Sequence, residues 1–199
     1  MARRSDHTRD ELRELVINTS IDIIQTDGFQ ALTARKIAGI IGYSPGTIYN
    51  LFPSMDALCL IINGMTIDAL NETLNDPACN KVGASPADNM KAMARQYLDF
   101  AAQNKERWMM LFAYKLPEGE DVPVWFQEKV AALFAPLERI LTPLYKNDAK
   151  ACKLAARTLW ASVHGICFVE QTGKMPIVIG SSSGEAMTST LIDNFVAGI

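Results

Sequence analysis

At 199 residues, with 49% hydrophobic and 21% charged residues, the chain holds enough apolar material for a substantial core and is too apolar to stay unfolded. Its length exceeds an average domain without reaching two, which favours one small domain fused to a larger one. A net charge of −3 excludes general attraction to polyanions, so any contact with nucleic acid has to come from a local surface.

The opening residues, Met1-Ala-Arg-Arg-Ser-Asp-His, are polar and lack the apolar stretch of a secretory signal. No later apolar run is long enough to span a bilayer, so no membrane association is expected. Cys59, Cys79, Cys152 and Cys167 are scattered, with only His7 and His164 as imidazole partners, which argues against a metal or cofactor. The thiols read as small buried apolar groups in a reducing cytoplasm.

From Thr8 to Asp27 the residues Leu12, Leu15, Val16, Thr19, Ile23 and Ile24 recur at three- and four-residue intervals, which predicts a helix with one apolar face. Asp10 and Glu11 favour its positive end, and Gly28 closes it as a left-handed cap. Thr33 caps a second helix reaching Ile40 or Ile41, Gly42-Tyr43 forms a turn, and Ser44 caps a third, very short helix to about Leu51. Ser54 then caps a longer apolar helix ending near Pro77. Pro86 opens the next, in which Met90, Met93, Ala94, Tyr97, Leu98 and Ala101 keep helical spacing.

A short helix is predicted over Trp108 to Tyr114, followed by a surface loop from Lys115 to Pro123. The helix from Val124 to about Tyr145 contains Pro136 and is expected to kink there. Asp148 caps a long helix to about Thr172, and a last helix starts near Ser183. Met175 to Gly180 is the only strand-like stretch. The expected fold is all-α, with about nine helices in two domains cut between residues 53 and 54.

The segment Leu32 to Ser54, LTARKIAGIIGYSPGTIYNLFPS, meets the steric needs of a helix-turn-helix. Two short helices that cross steeply need a small residue at the crossing, a turn residue tolerant of positive φ and a branched apolar lock on the second helix. Ala38, Gly42 and Ile48 supply these in order. The second helix then offers Ser44, Pro45, Gly46, Thr47, Tyr49 and Asn50, short or polar groups suited to phosphate oxygens and base edges. Thr33, Arg35 and Lys36 on the preceding element, with Arg3, Arg4 and Arg9, are candidates for the flanking backbone. The six acids Asp6, Asp10, Glu11, Glu14, Asp22 and Asp27 match the six basic residues before Ser54, so binding should either be modest or depend strongly on salt and on a dimer.

Gly46-Thr47-Ile48-Tyr49 followed by Phe52-Pro53-Ser54 resembles the TetR family of bacterial repressors. The likeness covers the first third of the chain closely. It implies an all-helical homodimer whose paired recognition helices enter successive major grooves of a palindromic operator, with a bound ligand moving the two heads apart. Farther on, Leu159-Trp160-Ala161-Ser162-Val163-His164-Gly165 is similar to a Trp-x-x-x-His-Gly step of one branch. Met55 stands where many members carry a phosphate-contacting lysine, and Asn50 and Leu51 where Tyr and His are usual.

In the larger domain Met93, Tyr97, Trp108, Phe112, Trp125, Phe126, Phe134, Trp160, His164 and Phe168 are either ordinary core or the lining of a cavity for an apolar small-molecule effector. His164 falls on the face of Trp160, either as a satisfied core or interface group or as a polar handle for ligand. Ala151, Ala155, Ala156, Ala161 and Gly165, with Met187, Leu191, Ile192 and Phe195, suggest faces through which the last two long helices pair across a two-fold axis. No serine or cysteine has an identifiable base partner, so an enzyme is not the expected reading. The rival class is a helical ligand-binding or adaptor protein whose N-terminal bundle docks another protein.

Overall fold

The computed structural model describes residues 7–146, 148–180 and 183–199, and these form eleven α-helices with no strand among them. Several helix N-termini are held by side chains, the first by a box not singled out in the sequence. Thr8 caps α1 (Arg9–Asp27) with a reciprocal box: its hydroxyl accepts from the Glu11 N–H at 3.3 Å, and the Glu11 carboxylate accepts from the Thr8 N–H at 2.7 Å. Gly28 ends α1 with φ 77° and ψ 158° rather than the expected left-handed helical cap. The chain leaves at once into a 3-10 turn, Phe29–Ala31, and that departure needs a backbone conformation essentially confined to glycine.

Helix α2 (Ala34–Ile41) is capped by Thr33, whose hydroxyl accepts from the Lys36 N–H. Gly42 then takes the left-handed helical conformation, φ 76° and ψ 26°, and its N–H and that of Tyr43 both return to the Ala38 carbonyl. Space at this glycine is open, but a Cβ in that conformation meets its own carbonyl. Gly42→Ala is expected to cost about 1–2 kcal/mol of unfolding free energy, read from urea midpoints at unchanged m-value.

After α3 (Pro45–Leu51) the chain bends by 62° into α4 (Met55–Leu74). Ser54 accepts from the Ala57 N–H at 3.0 Å, as its position predicts. The remaining helices are α5 (Pro86–Gln103), α6 (Lys105–Ala113), α7 (Val124–Ala132), α8 (Ala135–Leu141), α9 (Ala149–Gln171), α10 (Met175–Ile179) and α11 (Gly184–Ala197). Helix α6 begins three residues earlier than Trp108, because the Asn104 carbonyl already accepts from the Trp108 N–H at 2.8 Å. Among the described residues no single helix is long and apolar enough to cross a membrane.

Two local expectations are corrected. Val124 to Tyr145 is not one kinked helix: a proline ring at 136 collides with the carbonyl four residues back, so the ladder stops at Ala132 and restarts with Pro136 in the first turn of α8. Met175 to Gly180 is not strand-like but the single helical turn α10. Its β-branched run has no strand to pair with, and positive-φ glycines at 173 and 180 bracket it, so local i to i−3 and i−4 bonds satisfy the backbone instead.

The chain packs as two compact units. One unites the residues up to Thr66 with Asn104–Phe126; the other holds Ile67–Gln103 and Gln127–Ile199. In the first, Val16, Ile23 and Ile24 of α1, Ile37 and Ala38 of α2, Ile48 and Phe52, and Leu58 and Ile62 of α4 form one buried cluster with Met110 of α6. In the second, α11 packs on α5 and α9, and α8 on α9 and α5. The Glu170 carboxylate of α9 accepts from the Gly184 N–H, satisfying an orphan donor at the start of α11. All four cysteines are buried and free.

Candidate nucleic-acid interface and ligand cavity

The first unit presents a short helix that is locked from beneath and bare above. Ile48 is 1% exposed and joins Ala38, also 1% exposed, in the core beneath α3. On its other side Ser44, Pro45, Gly46, Tyr49 and Asn50 are exposed, Thr47 is half-buried, and the Tyr49 side chain is 54% exposed. A half-exposed tyrosine and an asparagine beside a glycine put hydroxyl, amide and approachable backbone on one convex surface. Ser44 occupies the N-cap position of α3, yet its hydroxyl is not spent on the backbone as expected. It pairs with the Thr47 hydroxyl at 3.1 Å, which orients both oxygens together.

The supporting contacts came from residues whose roles sequence reasoning missed. Arg13 of α1 lies over the Phe52 ring, 4.5 Å from its centroid, and donates to the Leu51 carbonyl at 3.3 Å. It thereby pins the end of α3 to α1. His7 Nδ1 and the Tyr43 hydroxyl are 2.9 Å apart, joining the start of the described chain to the turn before α3. Neither link leaves a sequence signal, since both join residues about 36–39 positions apart.

The basic candidates differ from one another. Arg35 and Arg9 are exposed. Lys36 is held by Asp27 at 2.8 Å, and that ammonium keeps the Asp27 carboxyl below its ordinary range. Lys36 must leave this partner to meet a phosphate. Thr33 is exposed and engaged as the α2 cap. Arg3 and Arg4 lie outside the described residues.

The second unit contains a cavity of about 50 Å³. Helix α5 contributes Met90, Met93, Ala94 and Tyr97; the α7–α8 break contributes Leu133 and Phe134, with Leu137 one turn on. Leu159, Trp160 and Val163 of α9 face them, and Leu74 and Ile192 complete the wall. Phe134 meets Trp160 edge to face with centroids 5.6 Å apart, and His164 stacks on Trp160 at 5.3 Å and 21°. The Tyr97 hydroxyl and His164 Nδ1 are 2.9 Å apart, and burial pushes the His164 imidazole down, toward its neutral form.

Of the aromatic and methionine candidates, Met93, Tyr97, Phe134 and Trp160 are brought together on this wall, and His164 stands directly behind it. Phe168 is 40% exposed and is not a lining residue, its ring centroid lying 6.5 Å from that of His164. Trp108, Phe112, Trp125 and Phe126 belong to the other unit and are not among the residues that line the cavity. Trp108 is fully buried against Phe112, and Trp125 meets Phe126 edge to face. Met90 was legible as a lining residue: it falls one turn before Met93 and Ala94 on the same helix face.

Helix α9 also carries a surface. Leu154, Thr158, Ala161, Gly165 and Phe168 are exposed at intervals of four, three, four and three residues, which aligns them as one stripe. Ala155, Ala156 and Ile192, expected on a pairing face, are buried inside the unit.

Residues 16–60 match the family model described as bacterial regulatory proteins, tetR family, and residues 90–195 match that of the tetracyclin repressor-like C-terminal domain. An uncharacterised HTH-type transcriptional regulator of Mycobacterium tuberculosis is 27% identical over 165 residues, covering 82% of this chain and 72% of that protein. A protein of unknown function from Rhodococcus sp. RHA1 superposes with a TM-score of 0.76 at 20% identity, over 100% of this chain and 99% of the other. The transcriptional regulator FadR from Bacillus subtilis, in complex with stearoyl-CoA, superposes with a TM-score of 0.67 at 15% identity, over 94% of this chain and 98% of the other.

Proposed function

Because this chain belongs to the TetR family of bacterial regulatory proteins and is thus a DNA-binding transcriptional regulator, we propose that it represses from a palindromic operator as a homodimer, released by an apolar effector. The observation that carries this is the bare polar face of α3, held outward by the buried Ile48 key. Ser44, Thr47, Tyr49 and Asn50 stand nearest the DNA, and Thr33, Arg35 and Lys36 serve the flanking backbone.

The exposed α9 stripe supports pairing of two copies. Ala161 and Gly165 at its centre let helices approach closely, and Leu154 and Phe168 supply apolar area at its ends. Two heads at a fixed separation read two half-sites, so the symmetry of the protein is written into the operator.

Release follows from the size of the cavity. At about 50 Å³ it is well below the roughly 150 Å³ that admits a benzene ring. A larger effector therefore binds only a form in which α5, α8 and α9 have parted around it, and the unbranched Met90 and Met93 side chains lower the cost of that parting. A differential affinity of about 1–3 kcal/mol between the forms changes operator affinity by roughly 5–150-fold.

Selection of bound sequences from random duplexes by the purified protein is expected to recover a palindrome whose half-sites lie about one helical turn apart or a multiple of it. Affinity for that sequence should fall steeply as salt is raised, because phosphate contacts release counterions. A pool that shows no enrichment and no salt-sensitive binding overturns the reading in favour of an adaptor whose N-terminal bundle meets another protein.

A further inference from the structure

Resting on the cavity reading above, we propose that the effector is an uncharged, hydrocarbon-rich molecule, such as a medium-chain alcohol, ketone or ester, and not a carboxylate, an ammonium or a coenzyme A thioester. The wall is the first reason. Met90, Met93, Phe134, Leu137, Leu159 and Trp160 offer carbon and sulfur surfaces, and among the described residues that line the space the Tyr97 phenol is the only ionisable group. A charge brought in would lose its hydration with no counter-charge to replace it.

The polar pair beside the wall is the second reason. Tyr97 and His164 are hydrogen-bonded to each other at 2.9 Å, so the nearest polar atoms are already engaged. To offer a carboxylate a counter-charge, His164 would have to gain a proton where it is half-buried and stacked on Trp160, a setting that favours the neutral ring. Arg157, the guanidinium nearest Phe134, lies over that ring at 4.3 Å and is paired with the Glu138 carboxylate. An anion would have to break that pair before it gained a partner. A coenzyme A thioester, as held by the Bacillus subtilis neighbour, would find no free cation at this wall for its phosphates.

The test is competition against Nile red, a neutral apolar dye, on the full-length protein at pH 7.5, with 1-decanol, decanoate, decylammonium and decanoyl-CoA as competitors. The expected result is displacement by 1-decanol, with the three ions weaker on the order of 100-fold. A brominated decanol should quench the parent's tryptophan fluorescence and lose most of that quenching in Trp160→Phe, which places the ligand at the wall. Equal or better displacement by decanoate, decylammonium or decanoyl-CoA, with Trp160-dependent quenching retained, overturns the ligand class and leaves the cavity reading standing. Failure of dye and all competitors to bind, or quenching that ignores Trp160→Phe, overturns the cavity reading and the class with it.

Discussion

Trp108→Ala is expected to lower the unfolding free energy by about 3–5 kcal/mol, with a melting temperature lower by roughly 6–20 °C for a chain of this size. Trp108 is fully buried, the Asn104 carbonyl accepts from its N–H, and its ring lies 5.1 Å from Phe112. It sits on α6, which packs on α1 in the unit that carries α3. Truncation leaves a ring-sized void there, and part of the loss is the dispersion contact of the surrounding side chains. Circular dichroism melts of parent and variant supply the measurement. A shift under two degrees would mean that α6 is peripheral to this core. Because Trp108 is not among the residues lining the cavity, binding of an apolar dye by the folded fraction should be unchanged.

Tyr49→Ala should do the opposite, sparing the fold and removing the function. The side chain is 54% exposed, so its loss is expected to change stability by less than about 0.5 kcal/mol. A hydrogen bond to a charged phosphate contributes about 1.5–3 kcal/mol, and a two-fold complex loses it twice. Operator affinity should therefore fall on the order of 100-fold or more. Fluorescence anisotropy on a labelled duplex, with melts run in parallel, separates the two effects. Parent-like affinity in Tyr49→Ala, repeated in Thr47→Ala, would remove α3 from the interface.

What could be read from residue order alone was what local chemistry decides. Thr33, Ser54 and Asp148 each place a side-chain acceptor ahead of an apolar-periodic run, and each caps the helix it announces. Gly42 and Ile48 were legible because a tight turn and a buried key are steric demands with few solutions. Ser44 misled in detail, since a hydroxyl three residues away competed for it. The Val124–Tyr145 segment was misread because a proline within a periodic run permits a kink or a break, and periodicity does not choose between them.

Which of the aromatics meet at the cavity wall was not legible, for a different reason. Trp108 and Trp160 have the same side chain and similar apolar neighbours in sequence, and only long-range packing separates them. Helix α6 returns to α1 some ninety residues upstream, while α9 faces α5. Nothing local encodes that return, so Phe112, Trp125 and Phe126 went with Trp108 to the unit that carries α3.

The buried thiols turn the protein into its own stability gauge. Desolvation pushes Cys59 up to about 11 and Cys167 up to about 12, and it raises Cys79 as well, so little thiolate forms while the surrounding core is closed. Alkylation by an excess of iodoacetamide then proceeds only as fast as each core opens. Cys59 reports on one unit and Cys79 and Cys167 on the other. Peptide-level mass spectrometry of a timed labelling series would thus yield separate opening free energies for the two halves, without an engineered probe.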